Sequence, residues 1–337
     1  MEIATIGLDL AKHVFQVHGV DTAGAVVLKR RLRRRELVAF FARLKPCRVG
    51  VEACATAHFW ARELRALGHE VRLMPAQYVK AYVRRGKSDA ADAAAICEAV
   101  TRPSMRFVPV KEEEQQAALM LHRVRDLLVR QRTQLINAIR AHLAEFGMVE
   151  AKGPWNLRRL LATVEEETGL PEAVGGMVRL MAAQLEEAER HIADIDARIL
   201  ARYQAGITTR RLGTIPGVGP LTATAIAAMV PDPSAFKSGR EFAAWLGLVP
   251  RQNSTGGKTR LGRTSRQGDG YLRRLLVIGA QSALYCSKTT RANPWVQALL
   301  AKRPRKVVAV ALANKMARIA WALLARGGTY KMTAVAA

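Results

Sequence analysis

The sequence lacks three features, and each absence excludes a class of protein. Its 337 residues include only four cysteines and no Cys-x-x-Cys pair, which argues against zinc ribbons and a disulfide framework. The longest apolar stretch, Val307 to Ala325, contains Lys315 and Arg318, so we expect a packed helix there and no membrane span. Asp9 interrupts the first apolar run, so the sequence predicts no secretory signal and a cytoplasmic protein.

Acidic residues are also scarce, with 28 Asp and Glu against 53 Lys and Arg and a formal charge of +25. Half of the residues are apolar, which excludes a disordered basic chain. Basic and acidic side chains number 20 and 10 in residues 1–111, 12 and 15 in 112–206, and 21 and 3 in 207–337. This pattern indicates two surfaces for a polyanion, and nucleic acid is favoured over a membrane because the cations lie among turns and glycines.

Residues 1–111 alternate strand and helix patterns, which predicts an α/β domain with a hairpin. The predicted strands are Ala4 to Leu10, Phe15 to Val20, Ala25 to Leu28, Arg48 to Ala53 and Glu70 to Met74. The predicted helices are Glu36 to Leu44, Ala57 to Leu67 and Ser88 to Val100.

Residues 112–206 predict an all-helical linker and assembly region. Glu112 to Phe146 contains no Gly or Pro, and a second helix keeps heptad spacing from Val174 to Ile199. We interpret this seam as a coiled coil that pairs two chains. Packing against a neighbouring helix of the same chain is the alternative.

Residues 207–330 predict a mainly helical C-terminal domain. Its turn Pro216-Gly217-Val218-Gly219 is similar to a helix-hairpin-helix, in which Gly217 and Gly219 let backbone N–H groups approach a DNA phosphate. A tight interhelical turn without a ligand is the alternative.

Four carboxylates in the first region have the placement of a divalent-metal site. Asp9 and Glu52 interrupt apolar strands, where a lone carboxylate is costly to bury. Asp89 and Asp92 are three residues apart on a predicted helix and therefore share one face. Oxygen ligands without His or Cys favour Mg²⁺ or Mn²⁺, ions that assist phosphodiester cleavage.

Two basic segments are candidate phosphate contacts. The first contributes Arg30, Arg31, Arg33, Arg34 and Arg35, just after the predicted hairpin. The second contributes Lys258, Arg260, Arg263, Arg266, Arg273 and Arg274. The second segment is expected to be a flexible loop, and Ser254 within it is a candidate nucleophile because nearby cations favour an alkoxide. Thr255 and Ser265 are the competing hydroxyls.

Five motifs occur in the order found in one transposase family. They are Gly7-Leu8-Asp9-Leu10-Ala11-Lys12, Val51-Glu52-Ala53-Cys54, Lys87-Ser88-Asp89-Ala90-Ala91-Asp92, Ile215-Pro216-Gly217-Val218-Gly219 and Ser254-Thr255-Gly256-Gly257-Lys258. The chain resembles the DEDD-type transposases of the insertion sequence 110 family, especially its insertion sequence 1111 branch. The resemblance extends over about residues 3 to 330.

The resemblance implies a RuvC-like, RNase H-type domain whose Mg²⁺ ligands are Asp9, Glu52, Asp89 and Asp92. It also implies a C-terminal domain with a serine nucleophile, matched by Ser254, that forms a covalent phosphoserine bond to DNA. The implied partners are donor and target DNA, a guide RNA encoded by the element, and further copies of the chain in dimers and tetramers. Such a recombinase works at the bacterial nucleoid.

Two other functions remain open on the sequence alone. A metal-dependent junction nuclease would cut with activated water and use Ser254 only as a phosphate contact. A non-catalytic relative would bind nucleic acid and keep the carboxylates without using them.

Overall fold

The computed structural model describes residues 2–83, 88–166 and 169–331. The chain forms two compact units, each with its own core. The first unit comprises Met1–Gln116 and Pro231–Lys237. The second unit comprises Ala117–Val230 and Ser238–Ala337.

The predicted division into three domains differs from these units in one respect. The predicted boundary after residue 111 lies near the end of the first stretch at Gln116. The predicted middle and C-terminal domains, 112–206 and 207–330, both lie mainly in the second unit. The three-domain division therefore stays a prediction.

A five-stranded mixed sheet is the centre of the first unit. Its strands are β1 (Thr5–Asp9), β2 (Val14–Val20), β3 (Val26–Arg33), β4 (Arg48–Glu52) and β5 (Glu70–Met74). The order across the sheet is β3-β2-β1-β4-β5, in which β2 is antiparallel to both neighbours and β1, β4 and β5 are parallel. The predicted α/β character is confirmed.

Helices cover both faces of this sheet. They are α1 (Leu37–Phe41), α2 (Ala57–Ala66), α3 (Ala76–Val79) and α4 (Asp89–Val100). Helices α1 and α2 share a core with the side chains of Ile6 and Leu8 in β1. Helix α4 packs on the opposite face, where Ile96 and Val100 meet Met74. Apolar residues at alternate strand positions thus fill both layers.

Two glycines let α4 pack directly on the sheet. Gly7 in β1 and Gly50 in β4 are paired in register. A methyl group on Gly7 would lie 2.1 Å from the carbonyl oxygen of Ala93, and one on Gly50 would lie 2.8 Å from the Cβ of Val100. No larger residue fits at this crossing, so the glycines determine how close the start of α4 lies to the end of β1.

Replacement of Gly7 by Ala is expected to lower the free energy of unfolding by about 3 kcal/mol, because helix backbone occupies the space that the methyl group needs. Gly176→Ala is the matched control, since within the described residues nothing lies within 4 Å of a methyl group there. In the second turn of α7 this change should stabilise the protein by about 0.5–1 kcal/mol. Urea unfolding measures both, and equal effects would refute the packing role of Gly7.

The remaining helices and a short hairpin lie mainly in the second unit. The helices are α5 (Glu113–Ala144), α6 (Pro154–Glu166), α7 (Glu172–Ala205), α8 (Ile207–Leu212), α9 (Pro220–Met229), α10 (Gly239–Trp245), α11 (Gly270–Cys286), α12 (Lys288–Ala292), α13 (Pro294–Leu300) and α14 (Arg305–Arg326). The hairpin strands are β6 (Pro250–Gln252) and β7 (Leu261–Thr264). Short 3₁₀ turns are Arg34–Glu36, Lys80–Tyr82 and Pro233–Ala235.

The heptad seam of α7 is buried within its own chain. Val178 and Leu185 join a core with Ile139 of α5 and Leu160 of α6. Further along, the seam residues Ala188, Ile192, Ile195 and Ile199 are also buried. This corrects the preference for pairing between chains: the seam's apolar side chains already have partners in the same chain.

Two segments differ from the sequence predictions. Strand β3 extends to Arg33, so most of the basic run lies inside an edge strand and not after the hairpin. The segment around Ser254, predicted as a flexible loop, is the β6–β7 hairpin with its tip at Gly256 and Gly257, both at positive φ. The basic part of β3 and the two hairpin strands do not alternate apolar and polar residues, and this alternation is the pattern by which a strand is predicted.

Helix α14 is the one helix, among those described, that is long and apolar enough to cross a membrane. One of its faces, which includes Ala309, Ala313 and Met316, is buried. The helix contacts α10 and α11. A core helix with these contacts passes the same length and composition test.

Candidate active site

Three carboxylates converge where β1 ends and α4 begins. Asp9 is the last residue of β1, and Asp89 and Asp92 lie in the first turn of α4. One oxygen from each lies within 4.8 Å of the other two. Ser88 fixes the start of α4, because its hydroxyl accepts a hydrogen bond from the Ala91 N–H at 3.2 Å. The close helix–sheet crossing thus brings residues 80 positions apart into one cluster.

Glu52 lies beside this cluster at the end of β4, the parallel neighbour of β1. Burial, with the charges of Asp92, Asp89 and Glu52, raises the pKa of Asp9 from 3.8 to about 6. Burial and the charge of Asp92 also raise the pKa of Glu52. Both shifts mean that the protein alone does not compensate the negative charge at this point.

The donor set of this cluster fits a hard divalent cation. All the donors are carboxylate oxygens, and they are close enough for more than one to reach a single ion. A cation would offset both the burial and the repulsion that raise the pKa of Asp9. Lys87, the first residue of the motif that contains Asp89 and Asp92, lies outside the described residues.

The hydroxyl of Ser254 is held by two donors in the β6–β7 hairpin. Its Oγ accepts a hydrogen bond from Gln252 Nε2 at 3.0 Å and one from the backbone N–H of Arg260 at 3.3 Å. The residue is exposed and therefore open to a large substrate. Two donors directed at one oxygen stabilise negative charge on it, which is what an attacking serine requires.

The competing hydroxyls are placed differently. The backbone of Thr255 pairs with Lys258 through two hydrogen bonds across the hairpin tip. Ser265 is 7% exposed, and its Oγ has no hydrogen-bond partner among the described residues. A DNA phosphate does not reach a buried hydroxyl, so the geometry favours Ser254 over Ser265.

Replacement of Ser265 by Ala is expected to stabilise the protein by about 0.5–1 kcal/mol, because it removes a buried hydroxyl without a described partner. The DNA-joining activity that the motif resemblance implies should stay unchanged. Thermal unfolding and an assay of joined DNA on the same variant measure the two effects. Loss of activity in a stable Ser265→Ala protein would make Ser265 a reacting group and contradict this assignment.

The basic residues of the second segment divide into two groups. Lys258, Arg260 and Arg263 are exposed on the hairpin near Ser254, and Arg266, just after β7, is exposed as well. Arg273 instead donates hydrogen bonds to the carbonyls of Leu246 and Gln267. Arg274 forms an ion pair with Asp126 and lies over the ring of Tyr271. The guanidinium groups of Arg273 and Arg274 thus have partners within the fold, and their contact with phosphates stays a prediction.

Comparison with known proteins identifies the family. A model described as "Transposase IS116/IS110/IS902 family" matches residues 209–296. A second transposase model, of the DEDD type from IS110 elements, matches residues 6–148. A "Probable family 20 transposase" of Pseudomonas aeruginosa is 51% identical over 98% of this chain and 99% of the relative. The chain belongs to the IS110 transposase family.

Two further relatives are transposases of defined insertion sequences. The transposase for insertion sequence element IS1328 of Yersinia enterocolitica is 43% identical over 97% of this chain and 98% of its own. The transposase for IS1111A of Coxiella burnetii is 40% identical over 98% of this chain and 92% of its own. The resemblance predicted from the five motifs is therefore confirmed.

The turn Pro216-Gly217-Val218-Gly219 between α8 and α9 of this transposase contains two glycines. One is in close contact with α11, and the other is exposed. Gly217 has φ +86°, and a methyl group on it would lie 2.3 Å from the carbonyl oxygen of Gly279 in α11. A glycine is therefore needed there for close packing, and the contact of its backbone N–H with a phosphate stays a prediction. Gly219 is exposed, and a methyl group on it would meet nothing within 4 Å in the described part of the chain.

Two arginines of the basic run in the transposase's first unit lie over aromatic rings. They are Arg30 in β3 and Arg34 in the 3₁₀ turn that follows β3. The guanidinium carbon of Arg30 lies 5.2 Å from the centre of the Phe40 ring. That of Arg34 lies 5.0 Å from the Trp60 ring and 5.9 Å from the Phe15 ring. Both arginines therefore stack on aromatic rings that belong to the core beside α1 and α2.

Sequence patterns missed the polar residues Gln16, His18 and Gln252. Gln252 is identified only by its hydrogen bond to Ser254. Gln16 and His18 are half-buried on β2, where Gln16 is paired with Asp9. The alternation of Phe15 and Val17 with Gln16 and His18 was the sequence signal that could have identified the two residues on β2.

Proposed function

We propose that this transposase moves its own insertion sequence by RNA-guided, Mg²⁺-dependent DNA strand exchange through a phosphoserine bond at Ser254. The observation that carries the proposal is the Ser254 hydroxyl, exposed in a cationic hairpin and held by two donors. The carboxylate cluster at Asp9 is the second element. Membership of the DEDD transposase family supports a divalent metal there.

In the proposed step, Ser254 Oγ attacks the phosphorus of a DNA phosphodiester. A bond from phosphorus to serine forms, the bond to one sugar oxygen breaks, and the serine proton leaves while the sugar oxygen gains one. The released hydroxyl of another strand then loses its proton and attacks the phosphoserine; a phosphodiester forms, the bond from phosphorus to the serine oxygen breaks, and Ser254 regains a proton. Gln252 and the Arg260 N–H lower the cost of charge on the serine oxygen, and Lys258 and Arg263 offer positive charge to the phosphate.

The carboxylates are proposed to serve the same reaction. Asp9, Asp89 and Asp92, with Glu52 beside them, would hold Mg²⁺ or Mn²⁺. A bound cation supplies Lewis acidity to phosphate oxygens. The sheet order β3-β2-β1-β4-β5, in which β2 runs opposite to the other four strands, supports a RuvC-like, RNase H-type domain.

The proposed partners follow from charge and family. A net charge of +25 suits donor and target DNA together with a guide RNA encoded by the element. Assembly of dimers into tetramers is part of the proposal. Exposed apolar residues on α6 and α7, such as Trp155, Met177 and Leu180, support a further contact between copies of the chain.

A cell assay tests the proposal. The gene with its native flanking DNA is expressed, and sequencing counts excised circles and new insertions for the wild type, Asp9→Ala and Ser254→Ala. The proposal predicts joined products for the wild type only. Joined products with Ser254→Ala would favour a metal-dependent junction nuclease, and retained function in Asp9→Ala would favour a non-catalytic binding role for the carboxylates.

A further inference from the structure

The face of β2 and β3 that lies on the Asp9 side of the sheet carries a row of polar and basic residues. Register pairs Asp9 with Gln16 and Gln16 with Arg31. It also pairs His18 with Lys29. Directly paired residues of antiparallel strands lie on the same face. Lys29, Arg31 and, two positions on, Arg33 therefore share the face on which Asp9 lies.

A groove lies between this face and α4. It has a volume of about 290 Å³, and Gln16, His18 and Lys29 line it from the sheet. Ala90 and Ala94 line it from α4, and their small side chains leave room for a ligand. Because Gln16 is paired with Asp9, the groove begins beside the carboxylate cluster.

On the opposite face of β3, the basic side chain has an aromatic partner. Arg30 also borders the groove, but its guanidinium lies over the ring of Phe40, which packs against the core with α1 and α2. Lys29, Arg31 and Arg33 are exposed, and the structure gives them no ion pair within the described residues. Adjacent arginines of one strand thus differ in what they can bind.

The spacing of the row suits a nucleic-acid strand. Alternate residues of a strand are about 6.7 Å apart, close to two nucleotide rises of about 3.4 Å along one DNA strand. Arg31 is two strands away from Asp9, which at about 4.8 Å per strand places their Cα atoms about 10 Å apart. A backbone whose scissile phosphate reaches the carboxylates therefore has its neighbouring phosphates within reach of the row.

We propose that Lys29, Arg31 and Arg33, with Gln16 and His18, form a track that binds the backbone of the DNA strand cleaved at the carboxylate site, and that Arg30 lies outside it. The track rests on the proposed function, because it assigns the strand that enters that site. Its residues position DNA and take no part in bond breaking.

The test compares two neighbouring arginines with the same charge. Full-length Asp9→Asn protein, which should not cut DNA, carries in addition Arg31→Gln, Arg31→Lys or Arg30→Gln. The probe is a fluorescein-labelled single strand of 30 nucleotides from the end of the element. Anisotropy gives the dissociation constant at several salt concentrations.

We expect Arg31→Gln to weaken DNA binding about 5- to 10-fold and to lower the salt slope by about 0.7, the value for one phosphate contact to a single strand. Arg31→Lys keeps the charge and should restore the slope. Arg30→Gln should change affinity less than 2-fold.

Equal losses of DNA affinity for Arg30→Gln and Arg31→Gln would refute the proposed track. If the charges only protect an edge strand from pairing, the two faces of β3 should not differ. A loss seen with an RNA of the same sequence and not with DNA would overturn it as well. These outcomes are separate from failure of the proposed function, because binding is measured without strand exchange. Protein that binds through the track and yields no joined DNA in cells would leave the track standing and refute the proposed function.

Discussion

Replacement of Asp9 by Asn is expected to stabilise the metal-free protein and to abolish transposition. Asn keeps the size of the side chain and removes one negative charge from a cluster whose like charges and burial raise the pKa of Asp9 to about 6. A rise of this size corresponds to about 3 kcal/mol, which solvent screening of the half-exposed carboxylate reduces to about 1–2 kcal/mol. Urea unfolding in EDTA at pH 7.5 measures the gain.

The pH dependence of this effect has a defined sign. The folded protein binds the Asp9 proton more tightly than the unfolded chain, whose pKa is near 3.8. Stability from this group is therefore complete below about pH 4 and is lost as the pH rises through about 6. Asp9→Asn should remove that loss, so wild type and variant differ at pH 7.5 and converge near pH 4.

The effect of Mg²⁺ on stability should also differ between the wild type and Asp9→Asn. MgCl₂ should raise the melting temperature of the wild type and leave that of Asp9→Asn nearly unchanged. Asp194→Asn is the matched control, because it removes the charge of an exposed carboxylate on α7. Equal stabilisation of Asp9→Asn and wild type by MgCl₂ would mean that the cation binds elsewhere.

Replacement of Ser254 by Ala is expected to reduce joined products to background, at least about 1,000-fold, and to leave DNA binding intact. Removal of a nucleophile eliminates the covalent step, and no other group on the hairpin replaces it. The side chain is exposed, so stability should change by less than about 0.5 kcal/mol. Sequencing of excised circles and anisotropy with labelled DNA measure the two properties.

Thr255→Ala is the matched control for Ser254→Ala, because it removes the neighbouring hydroxyl on the same hairpin. It should retain joining within a few fold. Loss of joining in Thr255→Ala together with full joining in Ser254→Ala would transfer the nucleophile to Thr255. Partial joining in both would mean that either hydroxyl can attack.

The sequence predicted the sheet where apolar residues dominate. Glu70 to Met74 was predicted with its observed bounds, and β1 and β4 were predicted within one residue. Strand β3 was predicted too short, because Lys29 to Arg33 contains a single apolar residue. An edge strand tolerates such a sequence, since one side of it needs no partner.

The candidate site could be predicted only in part, because its geometry depends on tertiary contacts that the sequence does not reveal. The spacing of Asp89 and Asp92 predicted a shared face, but their approach to Asp9 depends on the crossing of α4 at Gly7. Gly217 and Arg274 were assigned to phosphates by residue type, whereas a close backbone neighbour and an ion pair engage them within the fold. Residue type predicts what a side chain can bind, and tertiary structure decides whether it is free to do so.

Mass spectrometry of the protein–DNA adduct shows directly which residue is the nucleophile. Wild-type protein, produced with its native flanking DNA, is denatured rapidly and digested, and peptides that carry a nucleotide are sequenced. We expect a phosphonucleotide on Ser254 that is absent without Mg²⁺ and absent in Asp9→Asn. An adduct on another residue, or cut DNA with no adduct in the presence of Mg²⁺, would contradict this expectation.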